Sequence, residues 1–227
     1  MSKVFSVAID GPVGAGKSCV AKKVAERLNA AYLDTGAMYR AVGLYMLENG
    51  VSLEDGAAIA ENAGKARVDV RYEGREQRTY LNGRDVTGEL RRPEVSLASS
   101  AVAKVHAVRE ALVNRQRELA RGISLVMDGR DIGTCVLTDA TLKIFLTAAP
   151  EERARRRFRQ MNGRGGQSFG DVLNDLIRRD RNDMSRAESP LRCAEDAVEL
   201  DSTSLTEDEV VERIVSLLME RTGGERA

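Results

Sequence analysis

Residues 11–18 read GPVGAGKS, and Gly11, Gly16, Lys17 and Ser18 fit the pattern G-x-x-x-x-G-K-[ST]. A loop of this kind lets backbone N–H groups turn inward around phosphate oxygens, an approach that side chains would block. The helix expected to follow points its positive end at the same anions. Pro12, Val13, Gly14, Ala15 and Cys19 complete the phosphate-binding stretch. Lys17 has the reach to meet the β- and γ-phosphates of a nucleoside triphosphate, and the Ser18 hydroxyl suits Mg²⁺. The expected donor is therefore ATP with Mg²⁺. The loop alone does not name the acceptor, because GTPases, motors and small-molecule kinases all use it.

Three further groups of residues bear on the acceptor. In LDTGAMYR, residues 33–40, Thr35 offers a hydroxyl and Arg40 a forked guanidinium that suits a phosphate monoester. In DGRDIGT, residues 128–134, Asp128 and Asp131 flank Arg130, a grouping suited to magnesium-bound water beside a phosphate or a polar base edge. Residues 153–164, RARRRFRQMNGR, contain six arginines and no acid. Arg153, Arg156 and Arg157 fall on one helical face and could close over a transferring phosphoryl group; a plain solvated or RNA-touching helix is the alternative. In RRDRNDMSR, Arg179 and Asp183 are i, i+4, with Arg186 a turn later, and a simple intrahelical ion pair is again the alternative.

These residues need a frame. Val4 to Ile9, Ile123 to Met127, Leu142 to Leu146 and Val198 to Leu200 read as buried strands, filled with apolar residues without strict alternation. From Lys17 the spacing of Val20, Ala21, Val24, Ala25 and Leu28 is helical. Thr206 with Glu209 reads as a capping box opening a helix whose stripe is Val210, Val211, Ile214, Leu217 and Leu218. Such alternation predicts an α/β fold with a mostly parallel sheet. Between about Arg67 and Glu89 the period falls to two, broken at Glu73-Gly74 and Asn82-Gly83, which predicts a small antiparallel insertion flanked by helical segments near 52–65 and 93–121.

GPVGAGKS, LDTGAMYR, VSLASSAVAKVHAVREAL, DGRDIGT and RRDRNDMSR together resemble, in order and spacing, the bacterial cytidylate kinases, from residue 3 to about 220. The resemblance implies a P-loop kinase fold, five parallel strands wrapped by helices. It divides the chain into a core (about 1–50, 105–150 and 188–227), a nucleoside-monophosphate-binding insertion (about 60–100) and a lid (about 151–187). It implies phosphoryl transfer from ATP to CMP or dCMP, with catalytic roles for Lys17 and the lid residues Arg153 and Arg157. Ser100 and Asp131, helped by Arg109 and Arg186, would bind the cytosine edge. Thr35, Arg40 and Arg130 would hold the α-phosphate, and Arg179 and Asp183 would face the sugar. An Asp can accept from the exocyclic amine of cytosine, where uracil has an acceptor; leaving such a group unpaired costs about 1–3 kcal/mol. Two positions depart from the commonest pattern: Thr35 replaces a frequent Ser, and Cys19 a frequent Thr.

Composition narrows the rivals. The 227 residues are 42% hydrophobic and 31% charged with zero formal net charge, ordinary for a globular enzyme and without a global field for nucleic acid or a membrane surface. Cys19, Cys135 and Cys193 are isolated, which predicts a reduced, cytoplasmic chain. Asp10 and two glycines interrupt the N-terminal apolar run, and no stretch approaches the roughly 20 residues of a membrane span. A monomer without nucleic-acid partners is expected. A GTPase would need N-K-x-D, which is absent, and the only D-x-x-G, Asp85 to Gly88, falls in the insertion. An RNA-binding module would want more stacking surface than four Phe, five Tyr and no Trp provide. A kinase for UMP or AMP stays open. The single histidine, His106, is given no catalytic role.

Overall fold

The structure, a computed structural model, describes residues 4–74, 76–161 and 168–223. Its chain order is β1 (Ser6–Asp10), α1 (Lys17–Arg27), β2 (Ala31–Asp34), α2 (Thr35–Glu48), α3 (Gly56–Ala63), β3 (Val68–Glu73), β4 (Glu76–Leu81) and β5 (Arg84–Asp85). There follow α4 (Pro93–Val102), α5 (His106–Leu119), β6 (Leu125–Asp128), a π-helical turn (Ile132–Val136), β7 (Leu142–Thr147), α6 (Pro150–Met161), α7 (Phe169–Met184), β8 (Val198–Asp201) and α8 (Glu207–Thr222).

Five strands form one sheet in the order β2-β6-β1-β7-β8. β1 runs parallel to both neighbours, with Ile9 opposite Asp128 on β6 and Ile144 on β7. Val7, Ala8 and Ile9 are fully buried, which explains why β1 shows no alternation. β7 pairs parallel with β8 in turn. The result is the α/β architecture expected from the sequence, with helices wrapped about a parallel sheet.

The chain divides into two compact units, residues 1–31 with 122–227, and residues 32–121. In the first, α1 buries Val20, Ala21, Val24 and Ala25 and packs with α8, whose buried face is Val210, Val211, Ile214 and Leu218. The Thr206–Glu209 capping box is present. At the surface Lys23 pairs with Asp208 at 2.8 Å, and Arg27 pairs with Glu212.

The second unit holds α2 to α5 and an antiparallel sheet in the order β3-β4-β5. Its turns fall where the sequence placed them: Gly74 has φ 61, and Asn82 and Gly83 have φ 48 and 84, both left-handed as a two-residue hairpin requires. The helical stretch expected over 93–121 is two helices, because Val105 is extended at the entry to α5 and interrupts the ladder. No proline or glycine marks that break. α2 and α4 pack closely at Gly43, where a Cβ would lie 2.9 Å from the Ser99 nitrogen. That approach fixes the α4 turn carrying Ser100.

Candidate active site

The phosphate loop joins β1 to α1. Gly11 has φ 146, and a Cβ there would stand 2.0 Å from the Leu146 carbonyl oxygen, so the loop leaves the sheet against β7 where only glycine fits. Gly16, at φ 89, caps α1 in the left-handed region without a side-chain cap. The N-terminal N–H groups of α1 thus carry no side-chain acceptor from the cap residue, as an anion site requires. Lys17 is 6% exposed and donates from Nζ to the Pro12 carbonyl at 2.7 Å. Burial, then the charge of Arg130, depress its ammonium from the ordinary lysine range to about 7, against the pull of Asp128, Asp10 and Asp183. Ser18 donates to Asp128 Oδ2 at 2.9 Å. A hydroxyl and a carboxylate side by side are the hard oxygen donors that suit Mg²⁺, with water and phosphate as its remaining ligands. Cys19 is exposed on the same helix.

DGRDIGT follows β6 and turns through the π-helical segment. Asp10, at the end of β1, accepts from the Ile132 N–H at 2.8 Å and the Gly133 N–H at 2.7 Å, fastening that turn to the strand that feeds the phosphate loop. Its burial pushes the carboxyl up to about 6 although both N–H bonds pull it down. Asp131 is buried at the start of the turn. Arg130 donates from Nε to Asp183 Oδ2 at 2.8 Å, and Arg186 pairs with the other oxygen of Asp183. The structure therefore brings Arg130, Asp183 and Arg186 together. The Arg179–Asp183 ion pair considered above is not the arrangement: Asp183 turns inward to Arg130 and Arg186, while Arg179 stays half-buried on α7. Burial is the main depressor of the Arg179 guanidinium, with Arg157 and Arg178 adding to it. Neighbouring cations of this kind favour an anion between them.

The arginines of α6 do not share one open face as expected. Arg153 is 5% exposed, and its guanidinium enters the α6–α7 seam, donating to the Ala148 carbonyl at 2.9 Å, the Val13 carbonyl at 2.8 Å and Asp180 Oδ2 at 2.5 Å. Arg156 turns to Ser202, whose carbonyl accepts at 2.6 Å, and to Glu152 at 3.2 Å. Arg157 remains exposed. Equal helical spacing sets the Cβ positions, but the long side chains reach in different directions. The helix also carries its acids, Glu151 and Glu152, in its first turn, just ahead of the arginine run. Residues 162–164 of that run, with the stretch to 167, lie outside the described residues.

In the second unit, β2 ends at Asp34, whose carboxylate caps α2 by accepting from the Ala37 N–H at 2.9 Å. The other oxygen takes Arg40 Nη2 at 2.8 Å. Gly36 leaves room for this return, since a Cβ there would be 3.1 Å from both Asp34 Oδ1 and Arg40 Nη1. Arg40 Nε is buried without a hydrogen-bond partner among the described residues. Thr35 is buried at the first turn of α2. Arg109, buried on α5, lies with its guanidinium 5.8 Å from the Tyr39 ring centre, and Ser100 Oγ donates to the Ser96 carbonyl at 3.4 Å.

A family model described as cytidylate kinase matches residues 7–220. The chain belongs to the cytidylate kinase family. Cytidylate kinase from Desulforamulus reducens is 52% identical over 217 residues, covering 95% of this chain and 97% of its own. Cytidylate kinase from Geobacillus kaustophilus is 50% identical over 224 residues, 98% and 100% of the two chains. A gluconokinase structure from Sinorhizobium meliloti 1021 shares the fold at 14% identity and a TM-score of 0.50, covering 95% of this chain and 92% of its own. Cytidylate kinases are ATP-dependent phosphotransferases.

Within this cytidylate kinase frame, three acids with structural partners carry no role in the reading of the motifs. Asp10 had a local signal, a lone carboxylate closing an apolar strand directly before Gly11. Asp34 had one too, three residues ahead of Ala37 at a strand-to-helix junction. Asp180 had none, because its partners are 27 and 167 residues away in sequence.

Proposed function

We propose that the protein transfers the γ-phosphoryl group of ATP to CMP or dCMP, giving ADP with CDP or dCDP. Membership of the family supports the reaction class. The observation that carries the site reading is the buried Lys17 beside three left-handed glycines, with Ser18 held on Asp128.

A phosphate monoester is already a competent nucleophile, so the reaction needs alignment and charge neutralisation more than a general base. That need matches a site built of arginines. Lys17 and the N–H groups of residues 14–19 take the triphosphate. Ser18 and Asp128 would hold Mg²⁺, which when bound neutralises charge on the β- and γ-phosphates. Arg157, exposed one turn beyond Arg153 on the lid, supplies a cation for the transferring group, and Arg179 faces the sugar beside Asp183. Thr35 and Arg40 receive the acceptor phosphate: the buried Arg40 Nε is a donor in want of an acceptor, and Arg40 can exchange Asp34 for a phosphate oxygen. Arg130 completes that set. Asp131 accepts from the cytosine amine, supported by Ser100, Arg109 and Arg186, and Asp183 faces the sugar. Residues of about 60–100, with the small antiparallel sheet, form the acceptor-binding insertion, and about 151–187, with α6 and α7, the lid.

Coupled ADP release measured with CMP, dCMP, UMP, AMP and GMP tests the substrate. CMP and dCMP should be turned over with the highest kcat/KM, and activity should vanish with chelator and return with Mg²⁺. Preference for UMP or AMP would overturn the base assignment while leaving the donor site intact.

A further inference from the structure

The motifs gave Asp180 no role, and Arg153, expected at the phosphoryl group, is turned into the α6–α7 seam; they are among the most enclosed charged groups of the first unit, at 7% and 5% exposure. Asp180 Oδ1 accepts from the Val13 N–H at 3.0 Å, and its Oδ2 takes Arg153 Nη1 at 2.5 Å. The same Nη1 donates to the Val13 carbonyl at 2.8 Å. One peptide residue of the phosphate loop is thus gripped at both its N–H and its C=O, by an acid on α7 and a guanidinium on α6. Apolar contacts repeat the grip. The Val13 side chain packs against a cluster of Ala154, Val172 and Leu176, and a Cβ on Gly14 would come within 3.3 Å of the Arg153 Cβ.

We propose that Asp180 and Arg153 are positioning residues that lock the phosphate loop to the α6–α7 hairpin. Their contact sets the direction of the loop's N–H groups and, through the same two helices, the distance between the loop and two arginines of the proposed site, Arg157 and Arg179. Arg157 is four residues beyond Arg153 on α6, and Arg179 adjoins Asp180 on α7. Rotation of the hairpin therefore cannot leave the loop behind unless the pair breaks. Asp180 touches no reacting atom; its effect passes through Val13. The inference rests on residues 11–18 binding ATP, as proposed above.

The test is steady-state kinetics with ATP and CMP varied separately, on Asp180→Ala, Asp180→Asn, Arg153→Lys and, as a control, Lys17→Ala. Misplacement of a loop by a fraction of an ångström to 1 Å is expected to raise KM for ATP about 10-fold and lower kcat up to about 100-fold in Asp180→Ala. KM for CMP should stay within about twofold. Asp180→Asn keeps an acceptor for Val13 but opposes Arg153 with an amide donor, so it should shift KM for ATP in the same direction and less. Arg153→Lys keeps the charge and loses the fork, and should fall between them. A purely structural role would lower the active fraction, cutting kcat while leaving both KM values in place. The proposal is overturned if KM for ATP fails to rise at least about threefold more than KM for CMP in whichever Asp180 variant folds. If Lys17→Ala instead leaves ATP turnover intact, the loop is not the ATP site, whatever the Asp180 variants do.

Discussion

The phosphate loop and the start of α2 each place a cation where a strand gives way to a helix, but they hold it differently. Lys17 is enclosed and rests on a backbone carbonyl of its own loop. Arg40 rests on a side chain, Asp34, with one buried nitrogen left over. The first site is built mainly of backbone N–H groups, with the Lys17 side chain added to them. The second is made of side-chain arms that must change partners. Preformed N–H groups contribute to the transition state without reorganisation, whereas exchange of one acceptor for another moves ground-state affinity.

That contrast is open to direct attack. Lys17→Ala should remove turnover with every acceptor, a fall of kcat by at least about 10³, read as ADP release. Arg157→Ala should lower kcat by roughly 10³ as well, by loss of charge at the transferring group rather than at the bound triphosphate. Were both variants to keep near-normal kcat, the donor half of the comparison would be wrong. Arg40→Ala should act on the other half, raising KM for CMP about 10- to 100-fold, the value of a charge-assisted bond to phosphate, with KM for ATP unchanged. An equal rise in both constants would erase the distinction.

A further test concerns stability and Asp10, which couples the loop strand to the Asp131 turn. Its carboxyl is raised to about 6 from an unfolded value near 3.8, so the folded chain binds the extra proton between those limits. Stability from this group therefore falls as pH rises from about 4 to 6, and above 6 the ionised acid costs up to about 3 kcal/mol. The stability of the unmodified chain relative to Asp10→Asn, measured by urea unfolding, should accordingly increase as the pH is lowered from 7 to 4.5. A difference that stays flat across that range would show that Asp10 is not shifted.

Most of the frame could be read from residue order alone. The apolar runs at β1, β6 and β7, the capping box at Thr206 and the Asn82-Gly83 turn are local signals with local causes. The break between α4 and α5 was not visible, since Val105 leaves the helix without a breaker in its neighbourhood. The loop motif marked residues 11–18 directly, and the resemblance named Arg130, Asp183 and Arg186 without their mutual pairing. Spacing on α6 suggested a common face for Arg153, Arg156 and Arg157, but it cannot say where a six-atom arm ends. Arg153 is decided by Asp180, and that contact exists only once the hairpin has folded.

The packing of α1 on α8 has a bearing on how the molecule is made. Residues 17–27 precede their partner by most of the chain: the apolar face they cover belongs to residues 207–222, and β8 closes its edge of the sheet almost as late. Until α8 is in place, the segment that carries Lys17 lacks one of the surfaces its buried face packs on. Loop closure over so long a stretch is entropically slow. Residues 11–18 and the helix they open are therefore supported only once a helix far along the chain has joined them.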